Sequence, residues 1–295
     1  MGCRRRAIQR CVCCGGAGSM TATGNSQPAG SLEGLTAFVS GSSRGIGREV
    51  ALALASGGAS VAVHGRSADT AGEVAAALAE QGRLAGTFLG DLAEPGGSEK
   101  LADQVVATLP SLSIFVAVAG ADVLTGPAAS WSFDQKLEAL LTVDVLGTIA
   151  MARRIGAAMQ AGGGSIVTIG WDQAEVGMEG DSGQLFAATK AAVMAFTRSL
   201  ARSLGPAVRV NCVAPGWIRT AWGEQASEVW QKRARREAML GRWGEPQDVA
   251  NAVAWLASPE ASWVTGQVLP VNGGFRRAPF PQAPSVEHSE RGRPA

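Results

Sequence analysis

Between residues 35 and 274 the sequence alternates between short apolar runs of strand length and longer Ala- and Leu-rich segments with helical spacing. The short runs are rich in Val, Ile and Phe and lack the polar alternation of a half-exposed strand, as expected for parallel strands covered on both faces. Seven such runs are found, at residues 35–40, 59–64, 84–89, 112–118, 164–169, 207–213 and 267–271. The pattern predicts an α/β fold with a Rossmann-like, doubly wound parallel sheet of about seven strands and helices on both faces.

The region that carries this pattern is continuous. Neither an internal repeat nor a linker divides residues 32–275, so we expect one domain there. Residues 1–31 contain several Arg and no acidic residue, and we expect a disordered N-terminal extension, either a leader or the result of a misassigned start upstream of Met20. Residues 276–295 are rich in Pro and charged groups and are expected to form a disordered C-terminal tail.

Charge and hydropathy exclude two classes of partner. The 26 Lys and Arg residues nearly balance the 25 Asp and Glu residues, which gives a formal net charge of +1. A protein that binds nucleic acid through its phosphates should be basic where it is folded, whereas here the basic excess lies in the two ends. No apolar run approaches the roughly 20 residues that a membrane-spanning helix requires. We therefore expect a small-molecule ligand, with no nucleic acid and no membrane as partner.

The cysteines are unevenly distributed. Four of the five lie near the start, at Cys3, Cys11, Cys13 and Cys14, and only Cys212 lies in the body of the chain. Because a secreted disulfide framework spreads its cysteines through the fold, this distribution indicates a reduced, cytoplasmic protein, with organelle targeting by the N-terminal extension left open. The spacing of the clustered cysteines is tighter than C-x-x-C and no His lies nearby, so we predict no metal site.

A glycine-rich turn follows the first predicted strand. It reads Ser40-Gly41-Ser42-Ser43-Arg44-Gly45-Ile46-Gly47, and a helical pattern follows it. Glycines let the backbone turn tightly and approach a pyrophosphate closely, and the N-terminus of the next helix then presents free N–H groups to the phosphates. Because a strand and a helix flank the turn, it predicts a dinucleotide-binding site rather than a plain structural turn.

The spacing G-x-x-x-G-x-G in this turn resembles that of the short-chain dehydrogenase/reductase family, and the resemblance covers about residues 32–275. Asp91-Leu92 after the third strand, Ala119-Gly120 after the fourth and the segment 215–220 after the sixth match further family motifs, although Ala117 and Val118 replace two Asn of the motif after the fourth strand. The cofactor-binding set that the resemblance implies is Gly41, Ser43, Arg44, Gly45, Ile46, Gly47, Arg66, Asp91, Leu92, Ala119, Gly120, Lys190, Pro215, Gly216, Ile218 and Thr220.

The charges at the end of the second strand indicate which dinucleotide binds. An NAD enzyme usually has an acid there for the ribose 2′-hydroxyl, whereas a 2′-phosphate requires cations. The sequence reads His64-Gly65-Arg66-Ser67, without an acid, and Arg44 adds a second cation from the glycine turn. Since Arg binds phosphate through a bidentate fork, the pair favours NADP (NADPH); the alternative is that Arg66 only faces solvent.

The resemblance also implies four catalytic positions, of which only one keeps the family's residue. The family places a Tyr and a Lys four residues apart on one helix face, and here the pair reads Phe186 and Lys190. The chain contains no Tyr at all. Trp171 occupies the place of the family's Ser, and Asp144 that of its Asn. Phenylalanine has no proton to give to a substrate oxygen.

Two functional hypotheses follow. In the first, the chain is an NADP-dependent oxidoreductase that acts on a carbonyl or alcohol substrate and uses a carboxyl as non-standard proton donor, with Asp172, Asp144 and Asp181 as candidates. Asp172 is favoured, because it follows the fifth strand beside the expected nicotinamide. In the second, the chain is a catalytically degenerate dinucleotide-binding sensor, scaffold or partner subunit.

The resemblance also bears on the substrate pocket and on assembly. The segment 217–239 corresponds to the family's substrate lid and contains Trp217, Trp222 and Trp230, which line a bulky apolar pocket or pack as core or subunit contacts. The segments 131–160 and 185–204 correspond to helices that pair between subunits, so we expect a homodimer or homotetramer.

Overall fold

A seven-stranded parallel sheet forms the centre of the computed structural model, which describes residues 31–275. The strands are β1 (Thr36–Ser40), β2 (Ser60–Gly65), β3 (Leu84–Leu89), β4 (Leu112–Ala117), β5 (Gly164–Ile169), β6 (Val208–Pro215) and β7 (Val268–Val271). Their spatial order is β3-β2-β1-β4-β5-β6-β7. The order reverses between β1 and β4, and in doubly wound sheets ligands bind beyond the carboxyl ends of the strands at such a point.

Helices cover both faces of the sheet. In the described part of the chain they are α1 (Gly45–Ser56), α2 (Ala68–Glu80), α3 (Gly97–Thr108), α4 (Phe133–Leu140), α5 (Thr148–Met159), α6 (Gly180–Leu204), α7 (Ala221–Gln225), α8 (Glu228–Glu237) and α9 (Pro246–Ala257). A π-helical segment, Leu141–Gly147, joins α4 to α5. Short 3-10 helices span Gly126–Ser130, Asp172–Ala174 and Pro259–Ala261.

The strands are apolar throughout because each face of the sheet packs against helices. In β1, Ala37 and Val39 belong to an apolar cluster that includes residues of α1, α2 and α9. Phe38, between them, points to the opposite face and packs with residues of α3, α5 and α6. All three side chains are fully buried. The sheet therefore holds the carboxyl ends of β1 and β4 on a rigid base.

The predicted fold is confirmed, with two differences in the helices. α6 begins at Gly180, earlier than the predicted 185, because Gly180 with φ of +82° lets the chain turn directly into the helix. The predicted helical stretch 131–160 is divided by the π-helical segment. The N-terminal extension up to residue 30, with Cys3, Cys11, Cys13 and Cys14, and the tail 276–295 lie outside the described residues. In residues 31–275, no helix combines the length and the apolar character needed to cross a bilayer.

Candidate functional site

The glycine turn after β1 packs closely against the end of β4. Gly41 and Gly45 have φ values of +65° and +54°, which side chains rarely adopt. A Cβ on Gly41 would lie 2.6 Å from Cα of Ala119, and one on Gly47 would lie 2.1 Å from the carbonyl oxygen of Gly41. Where the turn meets α1, the backbone therefore carries no side chains that would keep a pyrophosphate at a distance. The residues present fit a dinucleotide.

His64 holds the turn in place from β2. The N–H of Gly41 donates to Nδ1 of His64 at 3.1 Å, so that Nε2 carries the proton and donates to the carbonyl of Gly90 at 3.1 Å. The Oγ of Ser42 accepts from the backbone N–H of His64 at 2.8 Å. Burial lowers the pKa of His64, against an opposing influence of the Gly90 hydrogen bond and of Asp91. This neutral imidazole thus connects the turn to the ends of β2 and β3, a role that its position in the sequence did not reveal.

A cleft lies beyond β1, β2 and β4, and we call its two parts the first and second chambers. The first chamber has a volume of about 230 Å³. Of the predicted cofactor residues it is lined by Gly41, Ser43, Arg44, Arg66, Asp91, Leu92, Ala119 and Gly120. Arg66 is exposed and forms no ion pair with the described residues. The structure therefore brings these eight predicted cofactor residues together around one chamber.

Arg44 forms an ion pair across the cleft. Its Nη2 lies 3.2 Å from Oδ2 of Asp122, which follows the β4 motif. Asp122 also accepts from the backbone N–H groups of Leu124 and Thr125. Burial raises the pKa of Asp122, but these hydrogen bonds, that of the Thr125 hydroxyl and the charge of Arg44 lower it by more in total, so the net shift is downward. Asp122 lines both chambers, although no motif in the sequence indicates it.

The second chamber continues from the first past Gly41, Arg44 and Asp122, and has a volume of about 460 Å³. Gly45, Ile46, Gly47 and Thr220 of the predicted cofactor set line it, together with Phe186 and Trp222. Pro215 and Ile218, also of the predicted set, are buried and line neither chamber. Gly216 packs against Asn272, where a Cβ would come within 2.6 Å of the Asn272 Cβ.

Asp144 and Lys190 form a buried pair behind the β4 motif. Nζ of Lys190 lies 3.8 Å from Oδ2 of Asp144 and donates to the carbonyl of Ile169 at 3.4 Å. The same Oδ2 of Asp144 accepts from the N–H of Ala121 at 3.2 Å. Asp144 lies in the π-helical segment, and Gly120 leaves room for its carboxyl, because a Cβ there would lie 2.5 Å from Oδ2. Burial raises the pKa of Asp144, partly offset by Lys190 and by the Ala121 N–H.

Two aromatic rings lie at the positions of the missing Tyr and Ser. The rings of Trp171 and Phe186 meet edge to face, with centroids 6.2 Å apart. Both side chains are half-buried. At these positions the site therefore has apolar ring surface instead of hydroxyl groups.

The other two candidate acids lie elsewhere. Oδ2 of Asp172 accepts from Nδ2 of Asn272 at 3.0 Å, and its Oδ1 is buried without a hydrogen-bond partner. Burial raises the pKa of Asp172 to about 6, opposed by the Asn272 hydrogen bond. Asp181 is exposed in the first turn of α6. Asp172 thus faces the β6 and β7 ends, and of the three acids it is Asp144 that contacts Lys190.

The Trp residues of the predicted lid pack mainly on one another. Trp217 lies within 6.2 Å, between ring centroids, of Trp222, Trp230 and the unpredicted Trp243. The guanidinium of Arg233 covers Trp217 and Trp230 and binds Glu179 and the buried Glu237, which also accepts from Nε1 of Trp217. Of the predicted three, it is Trp222 that lines the second chamber. In the predicted lid segment, the tryptophans therefore form an aromatic cluster with one ring at the cleft.

The chain is similar in sequence to known proteins over most of its length. Residues 41–276 match a family described as enoyl-(acyl carrier protein) reductase. The chain is 36% identical over 249 residues to a 3-oxoacyl-[acyl-carrier-protein] reductase of Aquifex aeolicus, covering 83% of this chain and 98% of that protein.

The chain is also similar to solved structures over most of its length. A 3-oxoacyl reductase of Agrobacterium tumefaciens with NADP bound superposes with a TM-score of 0.74 at 32% identity, covering 83% of this chain and 95% of that one. A 7α-hydroxysteroid dehydrogenase with NADH and a 7-oxo bile acid gives a TM-score of 0.74 at 31% identity over the same shares. The fold, the glycine turn and the extent of these matches show that the chain belongs to the short-chain dehydrogenase/reductase family.

Proposed function

We propose that the protein is an NADPH-dependent oxidoreductase that interconverts a carbonyl and an alcohol, and that Asp144 replaces the family's phenol as source of the proton. The observation that carries the proposal is the buried contact of Asp144 with Lys190 next to an intact dinucleotide cradle. When bound, the dinucleotide supplies hydride. The chain's own residues then have to hold the cofactor, orient the substrate and provide the proton.

Cofactor binding is assigned to the two chambers. The bare backbone of Gly41 and Gly47 and the N-terminus of α1 would hold the pyrophosphate. Arg66 and Arg44 line the first chamber, and their charges favour NADPH over NADH. The NADP-bound reductase among the relatives supports this preference, whereas the relative with NADH shows that family membership alone does not decide it.

Proton supply is assigned to Asp144 with Lys190 as relay. Because burial raises the pKa of Asp144, its carboxyl keeps a proton at a higher pH than an ordinary aspartate. We infer that this proton leaves from a carboxyl oxygen of Asp144 and reaches the substrate oxygen by way of Nζ of Lys190. Asp172 accepts a hydrogen bond from Asn272 and thereby supports the ends of β6 and β7 instead.

We further infer that the protein acts on a small molecule, as a homo-oligomer and in the cytoplasm. The exposed face of α6 carries Ala188, Ala191, Ala192 and Ala195, which would let a second α6 approach closely. The single buried cysteine of the described residues, Cys212, is in keeping with a reducing compartment.

The test is the pH dependence of NADPH-driven reduction over a panel of ketones and aldehydes. If Asp144 supplies the proton, the rate falls as pH rises through the Asp144 pKa, and Asp144→Asn removes turnover while NADPH still binds. Asp134→Asn, an exposed carboxyl at the start of α4, serves as matched control. Wild-type protein that binds NADPH but reduces and oxidises nothing would favour the sensor, scaffold or partner-subunit hypothesis.

A further inference from the structure

The wall of the second chamber provides no acid at the position where the family's phenol lies. Phe186 lines the chamber, and Trp171 packs against its ring. The indole N–H of Trp171 can donate a hydrogen bond but does not release its proton. A ketone that accepts hydride becomes an alkoxide and needs a proton at once. A hydride acceptor that is neutral after the transfer has no such need.

Of the charged side chains that line the second chamber, one carboxylate has no ion-pair partner among the described residues. The chamber is lined by Arg44, Asp122, Arg219 and Glu224. Arg44 is paired with Asp122, and Arg219 lies 3.4 Å from Glu245. Glu224 forms no ion pair with any described residue. The chamber therefore has an unneutralised negative charge at its rim.

The remaining surface of the chamber is apolar and aromatic. Phe186 and Trp222 line it together with Val118, Val123 and Leu124. The faces of aromatic rings attract organic cations, and the apolar side chains favour a ligand with a hydrocarbon body. Ring surface, hydrocarbon surface and one free carboxylate are together suited to an apolar cation.

Building on the proposed oxidoreductase function, we propose that the second chamber takes an apolar cation with a C=N⁺ double bond, an iminium ion, and that the protein reduces it to the amine. The reduced nicotinamide dinucleotide is the reductant. A C–H bond forms at the trigonal carbon as the hydride arrives, and the π electron pair of the C=N⁺ bond moves to nitrogen. The nitrogen becomes neutral, the dinucleotide is oxidised, and no proton is consumed. Iminium reduction is thus independent of the acid that Phe186 cannot supply.

The binding test uses two bicyclic probes of similar shape, the N-methyl-dihydroisoquinolinium cation and neutral α-tetralone. Calorimetric titration of the full chain without nucleotide is expected to show tighter binding of the cation. Glu224→Gln should weaken cation binding by about two- to fivefold, the range of an exposed charge pair, and leave tetralone binding unaltered. Glu228→Gln is the matched control, because Glu228 is an exposed lid carboxylate that pairs with Lys232 and does not line the chamber.

The turnover test follows NADPH absorbance with the same two probes, after subtraction of the reaction without protein. We expect the cation to be reduced at least about 10²-fold faster than α-tetralone, because only the ketone needs a proton and that proton has to come from Asp144 through Lys190. A general acid in direct contact with the substrate oxygen is worth about 10²–10⁴-fold, and the ketone lacks such a contact here. Phe186→Tyr should lower the ratio of cation turnover to ketone turnover, because it should raise the ketone rate.

The outcomes separate this inference from the proposed function. Equal turnover of both probes, or cation binding that is no tighter than tetralone binding and insensitive to Glu224→Gln, would overturn the iminium assignment while the oxidoreductase function stands. Bound NADPH with no turnover of either probe, or of any carbonyl or alcohol, would overturn both.

Discussion

The guanidinium of Arg44 and the carboxylate of Asp122 meet at 3.2 Å across the cleft, at the junction of the two chambers. Arg44 belongs to the glycine turn and Asp122 to the loop after β4, so the ion pair connects the two strands between which the sheet order reverses. A dinucleotide that extends from the first to the second chamber has to pass this pair. Asp122 therefore competes with a 2′-phosphate for the charge of Arg44.

The first prediction concerns Arg66 and cofactor choice. We expect tighter binding of NADPH than of NADH, and Arg66→Ala should reduce that preference by roughly 10- to 100-fold, the range of a hydrogen bond to a charged group. Nucleotide fluorescence titration measures both affinities. Arg48→Ala is the control, because Arg48 pairs with Glu49 on α1 and does not line either chamber. Equal affinity of the wild type for both nucleotides would refute the charge argument.

The second prediction concerns Asp122. Asp122→Asn should tighten NADPH binding, because the amide no longer holds Arg44 by charge. The effect should be a few-fold at most, since exposed pairs are worth about 0.2–1 kcal/mol, and it should shrink at high salt. In the double variant with Arg44→Ala the gain should vanish, which titration at two ionic strengths can check. A gain that persists without Arg44 would mean that Asp122 repels the nucleotide directly.

Local patterns in the sequence predicted most of the fold. The strands were predicted because burial on both faces makes each an uninterrupted apolar run, and the glycine turn because positive φ and close approach restrict Gly41 to glycine. The hydrogen bonds between strand ends that the sequence did not reveal depend on the register between strands. The hydrogen bond from Gly41 to His64 exists because β2 lies beside β1 in a register that brings His64 to the turn.

The site was predicted only in part for the same reason. Their spacing predicts that Phe186 and Lys190 lie on one helix, and both lie on α6, but spacing cannot show which of several acids faces Lys190. That depends on the π-helical segment, which aims Asp144 inward, and on the 3-10 helix at Asp172, which directs that carboxyl to Asn272. The lid tryptophans were undecidable from spacing alone, because Trp243, which completes their cluster, comes from outside the lid segment.

The third prediction concerns His64 and pH. Its folded-state pKa lies below the ordinary value of 6.5, so its contribution to stability is full above that value and is lost as pH falls below it. His64→Asn, which keeps a neutral acceptor, should therefore show a weaker fall in unfolding free energy on acidification. The difference cannot exceed about 1.4 kcal/mol per pH unit. Urea unfolding at fixed protein concentration across this range is the measurement, and identical pH profiles would contradict it.

The fourth prediction concerns Asp172. Since its pKa rises from 3.8 to about 6, the folded protein holds a proton that the unfolded chain releases, and stability from this group is lost as pH rises between those values. Asp172→Asn should therefore be more stable than the wild type at neutral pH and above, by up to about 3 kcal/mol at 1.36 kcal/mol per pH unit. Below pH 3.8 this gain should disappear. Thermal unfolding at the two pH extremes tests this prediction, and a variant that is less stable than the wild type at neutral pH would show that the ionised Asp172 carboxylate is required to bind Asn272.

The fifth prediction concerns Phe186. Phe186→Tyr places a phenol one helical turn from Lys190, on the same face of α6, which is the arrangement that the family uses. Because this phenol would contact the substrate oxygen directly, whereas the Asp144 proton has to pass through Lys190, we expect NADPH-dependent reduction of simple activated ketones to rise by up to about 10²- to 10⁴-fold. Phe196→Tyr, about three helical turns further along α6 and packed against the core, is the matched control for the mere addition of a hydroxyl. NADPH affinity should change little, because the ring of Phe186 lies on the second chamber's wall and not in the glycine turn.

If the variant folds and binds NADPH but gains no ketone reduction, then Trp171, at the position of the family's serine, blocks the place of the substrate oxygen. Trp171→Ser in the same background should then restore ketone reduction. Failure of the double variant as well would contradict the assignment of this face of α6 to the reacting centre.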